Sequence, residues 1–265
     1  MLTSRETSRK ALPSSSLLPV KPKLKAHDTH LPCRKVQSKT PQFGFSLIEL
    51  LVVISIVAIL LSILMPALGR AKSMAMWLKC TNNLKQINLA IHLYLQASEQ
   101  TYPCAQDPFP GDYFFWMGIW GSFVEPYLGI KITSSRPSIM SCPENRTSFG
   151  FSYAYSMAFY HSPAQIDTMS SVGHTFMPVL VEPSIPQRSS AVAKPSRKIL
   201  VGEWFSNHRP ISFDQGWWCW EGTRNYLFVD GHVSFLEARR IRQARDGCPD
   251  AHLTFNGIKG WDCLR

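Results

Sequence analysis

The longest apolar stretch of the chain runs from Phe45 to Leu64 and contains one charged residue, Glu49. A helix rises about 1.5 Å per residue, so about 20 apolar residues suffice to cross the roughly 30 Å hydrocarbon core of a bilayer. A cleavable secretory signal has a shorter apolar region of about 7 to 15 residues. The pattern therefore predicts a single transmembrane helix over residues 45–65.

Past Pro66 the apolar residues recur every three or four positions, which is the period of one face of a helix. This stripe consists of Trp77, Cys80, Leu84, Ile87, Ile91 and Tyr94. We predict that an amphipathic helix over residues 66–98 continues the transmembrane helix and packs its stripe against a globular head. Pro66 lacks a backbone donor, so a kink is expected there.

Residues 99–265 contain shorter apolar runs separated by turn-forming residues. We predict that they form the head, an α+β domain that ends in a C-terminal loop region. Aromatic side chains are dense over residues 103–135, which we interpret as sheet and loop packing against the helix. A second aromatic group comprises Trp217, Trp218 and Trp220. Such groups are more often core than exposed binding patches, so burial is expected.

A hairpin signal stands at Asp230-Gly231, between the apolar segments 226–229 and 232–235. A two-residue type I′ turn needs positive φ at both central positions, which Asp-Gly tolerates. The predicted pairs across this turn are Phe228 with Val233 and Tyr226 with Phe235. These four side chains would form one apolar face, and His232 would lie on the more polar face.

The start of the apolar stretch carries a motif. Lys39-Thr-Pro-Gln-Phe-Gly44 precedes Phe45-Ser-Leu-Ile-Glu49. An unpaired carboxylate inside a bilayer is costly, so Glu49 needs a partner. The segment resembles the class III signal of type IV prepilins and type II secretion pseudopilins. That resemblance implies cleavage by a prepilin peptidase between Gly44 and Phe45, methylation of Phe45, and a role for Glu49 in assembly.

The resemblance also implies an architecture and a set of partners. The fold would be α+β and pilin-like, with a long N-terminal helix, transmembrane and then amphipathic, packed on an antiparallel β-sheet head. Residues 1–44 would be a basic leader that is removed. The protein would cross the inner membrane once, with a cytoplasmic leader and a periplasmic head, and reach the cell surface after assembly. Other pilins or pseudopilins and the inner-membrane assembly platform would be its partners.

Two functions are compatible with these features. The first is a structural, non-enzymatic subunit that assembles through its N-terminal helix into a type IV pilus or a type II secretion pseudopilus. The alternative is a membrane-anchored extracytoplasmic binding domain or enzyme that uses the signal only for export. Replacing Glu49 by Ala separates the two functions, because only the first depends on co-assembly.

Further segments resemble a narrower group, the His-x9-Asp-Gly prepilin-type proteins of Planctomycetes, Verrucomicrobia and allied bacteria. These segments are Cys80–Ile87, Ser138–Glu144, Phe151–Met157, Pro195–Glu203 and Asn225–Val233. In that group a His precedes Asp-Gly by nine intervening residues. Here that position is Trp220. A processing or ligand role of that His is therefore not carried over, whereas the implied fold is.

The formal net charge of +10 suggests a nucleic-acid partner at first. Residues 1–44, however, hold nine Lys and Arg against two acidic residues, which leaves 19 basic and 16 acidic residues, a net charge of +3, in the rest of the chain. Lys and Arg next to a first membrane helix hold that end in the cytoplasm. The basic excess is thus a topology signal, and no nucleic-acid partner is predicted.

Cysteines add an expectation about disulfides. Beyond the leader the disulfide candidates are Cys80, Cys104, Cys142, Cys219, Cys248 and Cys263. Six cysteines allow 15 pairings, and the pattern does not select among them. The most plausible local pair is Cys248 with Cys263, whose loop of about 15 residues would contribute about 3 kcal/mol. The other interpretation is that several are reduced packing residues.

Enzymatic chemistry is disfavoured. Cys142 could act as a nucleophile with His161 or His174 as its base. Its Cys-Pro context, however, supplies no helix N-terminus or Gly-rich turn that would lower the pKa of the thiol. We therefore predict a protein that is not an enzyme and has no cofactor.

Metal binding is predicted to be absent or weak. A zinc site built from His208, Cys219, Asp230 and His232 lacks a ligand pair at the usual spacing. Calcium is the better candidate, since some pseudopilins hold it in a C-terminal acidic loop. The available oxygen ligands are Asp246, Asp250 and Asp262, without the dense Asp/Asn repeat of a strong calcium loop.

Overall fold

The computed structural model describes part of the chain. The described residues are 44–104, 120–131, 139–145, 152–169 and 184–264. The chain divides into two units between Val52 and Val53, and the second unit contains the head. The predicted leader lies outside the described residues except for Gly44, and so do Cys33 and His174.

Helix α1 spans Leu47–Ala97 and contains Pro66 in its interior. Two shorter helices follow, α2 at Gly121–Leu128 and α3 at Pro163–Thr168. The strands are β1 at Tyr153–Tyr155, β2 at Ile199–Glu203, β3 at Thr223–Phe228 and β4 at Val233–Glu237. They form one antiparallel sheet in the order β1-β2-β3-β4. The predicted α+β, pilin-like fold is thereby confirmed.

One face of the second half of α1 is buried. The buried residues are Cys80, Asn83, Leu84, Ile87, Ala90, Ile91 and Leu95, and their three- and four-residue spacings make a single face. Trp77 joins this face to the sheet, because its indole Nε1–H donates to Asn225 Oδ1 over 3.0 Å and its ring lies edge-on to Phe235. Asn83 Nδ2 donates to the Tyr153 hydroxyl at 3.4 Å. The predicted amphipathic stripe thus packs on the sheet.

The aromatic segment that we interpreted as sheet and loop contains a helix in its described part. Phe123 and Tyr127 lie four residues apart on α2, and both rings meet Tyr94 of α1 edge-on at 6.2 and 6.3 Å. Because residues four apart share a helix face, two aromatics at this spacing favour a helix against α1. The strand interpretation of residues 121–128 was therefore wrong.

The β3–β4 hairpin forms where it was predicted, but its register differs by one residue. Leu227 pairs with Val233, and Asn225 pairs with Phe235. Gly231 has φ of 90°, whereas Asp230 does not have positive φ, so the turn is not type I′. A three-residue loop, closed by the Phe228 N–H donating to the His232 carbonyl, accounts for the shift.

A one-residue shift moves every side chain to the other face of a strand. Leu227 and Val233, not Phe228 and Val233, therefore share a face. The predicted contrast between an apolar and a wetter face is wrong for β3, because all six of its residues are buried. Strand β4 is only partly buried.

The sheet face away from α1 is covered by the segments that follow β2 and β4. Trp217 is fully buried there, and its ring packs 6.0 Å from Tyr226. A Cβ at Gly202 would lie 2.7 Å from Tyr226 and 3.0 Å from Trp217, so this close packing requires glycine. Of the predicted tryptophan group, Trp217 is core and Trp218 is partly buried, whereas Trp220 is 46% exposed.

The C-terminal loop region is fastened by a buried ion pair. Lys198 Nζ lies 3.2 Å from Asp262 Oδ1 and donates to Thr254 Oγ1 at 2.6 Å. The other Asp262 oxygen accepts the Ile199 N–H at 2.7 Å, at the start of β2. Burial lowers the pKa of Lys198, and the Asp262 carboxylate acts in the opposite direction. The tail is thus held to the sheet by charge as well as by packing.

Replacing Lys198 by Met should lower the free energy of unfolding by about 3–5 kcal/mol, because Asp262 would remain buried without its cation. Arg239→Met is the control, since the Arg239–Glu237 pair is 76% and 51% exposed and should contribute less than about 1 kcal/mol. Denaturant unfolding of the detergent-solubilised full chain measures both. Equal losses in the two variants would contradict the role of the buried pair.

Candidate functional site at the start of helix α1 and in a buried cluster

The start of α1 is closed by a variant of the capping box. Glu49 Oε2 accepts the Ser46 N–H at 2.9 Å, as in that motif, whereas Ser46 Oγ accepts the Ile48 N–H at 3.3 Å in place of the Glu49 N–H. Ser46 and Glu49 thereby satisfy two backbone donors at the start of the helix. The predicted assembly carboxylate therefore already has a structural role within its own chain. Phe45, just ahead of the cap, is 72% exposed.

The apolar part of α1 is exposed along its length. The exposed large side chains between residues 45 and 64 are Phe45, Leu47, Ile48, Leu50, Leu51, Val52, Val53, Ile54, Ile56, Val57, Ile59, Leu60, Leu61, Ile63 and Leu64. Among the described residues, α1 is the one helix whose length and composition suit a membrane span. A surface of this size is far larger than the apolar patches of soluble monomers and requires lipid or partner helices.

A second cluster lies where α1 meets the head. Cys80 of α1, Cys142, Glu203 at the end of β2 and His208 place one ligand atom each within 4.8 Å of one another. The Cys80 and Cys142 sulfur atoms are 2.6 Å apart, and His208 Nε2 is 3.4 Å from the Cys142 sulfur. His208 Nε2 also lies 3.2 Å from Glu203 Oε1.

The residues of this cluster are held in place by the helix to which they belong or by hydrogen bonds with neighbouring residues. Cys80 belongs to the buried stripe of α1. The Cys142 N–H donates to Ser152 Oγ at 2.9 Å, just before β1. Glu203 Oε2 accepts both the N–H and the side-chain Nδ2 of Asn225 at 2.9 Å. The geometry of the cluster therefore follows from the packing of α1, β2 and β3.

The cluster is electrostatically coupled. The hydrogen bond between the two thiols lowers the pKa of Cys80, and the same bond, with burial and the Glu203 charge, raises the pKa of Cys142. Burial lowers the pKa of His208, but hydrogen bonds and charge interactions with Cys80 and Glu203 outweigh it and raise the value to about 10. Burial raises the pKa of Tyr153, which adjoins Cys80. The two thiols are thus inequivalent, with Cys80 the more readily ionised of the pair.

The nucleophile and base considered from the sequence are not paired in the described structure. Cys142 has His208 beside it, whereas His161 packs on Tyr160, with ring centroids 4.7 Å apart. The zinc set proposed from the sequence does not form a cluster either. Of its members, Asp230 and His232 meet each other in the hairpin, with Oδ1 and Nδ1 2.5 Å apart.

The predicted cysteine pairs are not confirmed. None of the six described cysteines forms a disulfide in the structure. Cys263 lies opposite Ile241 in an isolated β-bridge, and its thiol donates to the Leu264 carbonyl. The Cys248 N–H donates to Asp246 Oδ1. The pairing of Cys248 with Cys263 stays a prediction, and so does any pairing of Cys104 or Cys219.

The calcium candidates do not converge on one point within the described residues. Asp262 is engaged by Lys198. Asp250 accepts the Trp218 Nε1–H at 3.1 Å, and burial raises its pKa and that of Asp246. Calcium binding by these three carboxylates stays a prediction.

Sequence patterns alone missed Glu144 and Glu203 as functional candidates and gave His208 the wrong partners. The cluster draws its members from distant positions, with 61 residues between Cys80 and Cys142 and 60 between Cys142 and Glu203. A usable signal did exist. Cys80, Cys142 and Glu203 lie in three different segments of the narrower resemblance.

Residues 39–65 match the family model of the prokaryotic N-terminal methylation motif. The chain carries a prepilin-type N-terminus. This motif supports a type IV pilin-like protein that is processed by a prepilin peptidase, and together with the apolar helix it supports membrane anchoring. No curated protein and no solved structure matches the chain. The narrower His-x9-Asp-Gly group is not confirmed.

Burial predicts which thiols of this pilin-like protein react. Cys80 and Cys142 are 0% and 2% exposed, so a maleimide should leave them unmodified in the folded protein. Cys219 and Cys263 are partly exposed and should be labelled. Peptide mass spectrometry after brief labelling of the detergent-solubilised chain measures all four. Rapid labelling of Cys142 in the folded state would contradict the buried cluster.

Proposed function

We propose that this protein is a structural subunit of a type IV pilus or a type II secretion pseudopilus. Prepilin peptidase removes the leader after Gly44, and the chain assembles through the N-terminal part of α1. The observation that carries the proposal is the motif match at residues 39–65, which coincides with the exposed apolar surface of α1 and the capping box at its start.

Assembly would provide a partner for the exposed apolar side chains of α1 and for the Glu49 carboxylate. Neighbouring helices or lipid would cover the apolar side chains, which are unfavourable in water. Glu49 uses Oε2 for the Ser46 N–H, and Oε1 is available for a cation. The terminal amine that cleavage creates on Phe45 of a neighbouring subunit has the required charge. A paired carboxylate is far less costly in a membrane than an isolated one.

The proposed topology follows from charge. The basic leader stays in the cytoplasm, the helix crosses the inner membrane once, and the head lies in the periplasm or, after assembly, at the cell surface. The nine Lys and Arg of residues 1–44 support this orientation by the positive-inside rule. The assembly platform of the inner membrane is the proposed partner during insertion into the fibre. Neither catalysis nor nucleic-acid binding is part of the proposal.

Gly44→Val should block processing, so that the uncleaved chain accumulates in the membrane. The wild-type protein should begin at N-methylated Phe45. A Cβ at Gly44 meets no atom within 4 Å, so a block would come from the peptidase and not from misfolding. Gly69→Val is the matched control, since a Cβ there is equally unobstructed. N-terminal sequencing and intact mass decide, and a wild-type chain that retains residues 1–44 would contradict the proposal.

The charge of Glu49 can be separated from its capping role. Gln also serves at the third position of a capping box, so Glu49→Gln keeps the cap and removes the charge, whereas Glu49→Ala removes both. We expect both variants to be processed and both to lose co-assembly, measured by cross-linking to other pilins and by recovery of sheared fibres.

The other outcomes of this comparison are equally informative. Assembly of Glu49→Gln but not of Glu49→Ala would contradict the charge role and assign Glu49 to capping. Normal assembly of both variants would contradict any role of Glu49 in assembly. The absence of any pilin complex with the wild-type chain would favour the membrane-anchored binding domain or enzyme that uses the signal only for export.

A further inference from the structure

The buried cluster between α1 and the head has the ligand types of a transition-metal site. Two thiol sulfurs, one imidazole nitrogen and one carboxylate oxygen converge within 4.8 Å. These donors come from Cys80, Cys142, His208 and Glu203. Zinc takes sulfur, nitrogen and oxygen ligands in tetrahedral geometry, and thiolates select it over calcium or magnesium.

The buried carboxylate of Glu203 points independently to a ligand. Glu203 is 0% exposed, and its Oε1 accepts no hydrogen bond within the described structure; the charged group facing it is His208 Nε2, 3.2 Å away. Its other oxygen already accepts two bonds from Asn225. A buried carboxylate oxygen that accepts no hydrogen bond is unfavourable unless a nearby cation or a metal ion neutralises it. Oε1 faces the two sulfurs and the imidazole.

The surroundings orient the ligands as they do in known metal sites. His208 Nδ1 lies 2.7 Å from Glu144 Oε2, which leaves Nε2 directed at the cluster. A metal-binding imidazole commonly donates its second N–H to a carboxylate, which fixes its tautomer and orientation. Asn225 holds Glu203 in the same manner. Both supports are present without any rearrangement of the backbone.

We propose that Cys80, Cys142, His208 and Glu203 bind one zinc ion. With four protein ligands the site is structural and has no open position for a substrate. Binding displaces the two thiol protons and any proton on His208 Nε2, so three ligand negative charges face the two positive charges of the ion. Thiolates on one tetrahedral zinc lie roughly 3.8 Å apart, so the two sulfurs separate from their present 2.6 Å.

The metal joins the helix to the head. Cys80 belongs to α1, Cys142 to the loop before β1, and Glu203 to the end of β2. One ion therefore cross-links three segments. It does so on the second half of α1, whose buried face packs on the head. A groove of about 650 Å³, lined by Arg70, Trp77 and Phe235 among others, reaches His208 and provides an entry path.

A disulfide between Cys80 and Cys142 is the competing arrangement, and the two are mutually exclusive. Zinc ligands become alkylated by maleimide once the protein is denatured without reductant, whereas disulfide sulfurs do not. Metal content and alkylation together therefore separate the two arrangements.

The test uses the full chain extracted from membranes in detergent and purified through an affinity tag that lacks His and Cys. Mass spectrometry should find one zinc per chain. Denaturation without reductant should then expose Cys80 and Cys142 to maleimide. Cys142→Ser and His208→Gln should each lower the zinc content at least tenfold. Cys263→Ser, a free thiol outside the cluster, should keep it.

Two further measurements keep the proposal testable if a ligand variant folds poorly. Cobalt added to the chelator-treated wild-type chain should give the visible absorption of a tetrahedral cobalt thiolate, and this band should be lost in Glu203→Gln or shifted. Glu144→Gln should weaken zinc about 10- to 100-fold, as the loss of an outer hydrogen bond does. A Cys80–Cys142 disulfide without bound metal would overturn the proposal. So would zinc that is unaffected by loss of Cys142 and His208, which would be an adventitious ion only.

Discussion

The contact between the buried face of α1 and the sheet is the interaction on which the rest of the head depends. A helix of this length with one apolar stripe is stable in water only if that stripe is covered, because tertiary packing supplies most helical stability. The sheet and helix α2 together cover it. Polar groups within the contact are matched in pairs, Trp77 with Asn225 and Asn83 with Tyr153. These pairs fix the position of the helix along the sheet, which packing of apolar side chains alone would leave less specific.

Three carboxylates, of which Asp262 and Glu203 are buried and Asp214 is half-buried, make the same pair of contacts around the sheet. Each accepts a backbone N–H and faces a basic side chain. Asp262 binds Ile199 and Lys198, and Asp214 accepts the Ser206 N–H while Arg224 donates to its other oxygen. Glu203 faces His208 in the same way and accepts from the Asn225 N–H. In each case the carboxylate ties an irregular segment to a regular strand. Few apolar contacts are available to such segments, so charge and hydrogen bonds hold them.

The sequence predicted what depends on local periodicity and failed where distant segments meet. The stripe from Cys80 to Ile91 follows from helical spacing, which is local information. The hairpin was located correctly by Asp230-Gly231, but its register depends on whether the loop has two or three residues, and the composition of the loop allows both. The sequence could not predict that His208 lies beside Cys80 and Cys142, because only the packing of α1 on the sheet brings these residues together.

The capping box at Ser46 has a consequence for the subunit before it joins a fibre. The positive end of the α1 dipole lies at the same place as the amine that cleavage would create on Phe45. The Glu49 carboxylate lies within one turn of both and would offset most of this positive charge, which leaves about half an elementary charge at the helix tip of a solitary processed chain. Under the proposed function, a processed chain would therefore be tolerated in the bilayer before assembly. Recruitment would then exchange one pairing of Glu49 for another.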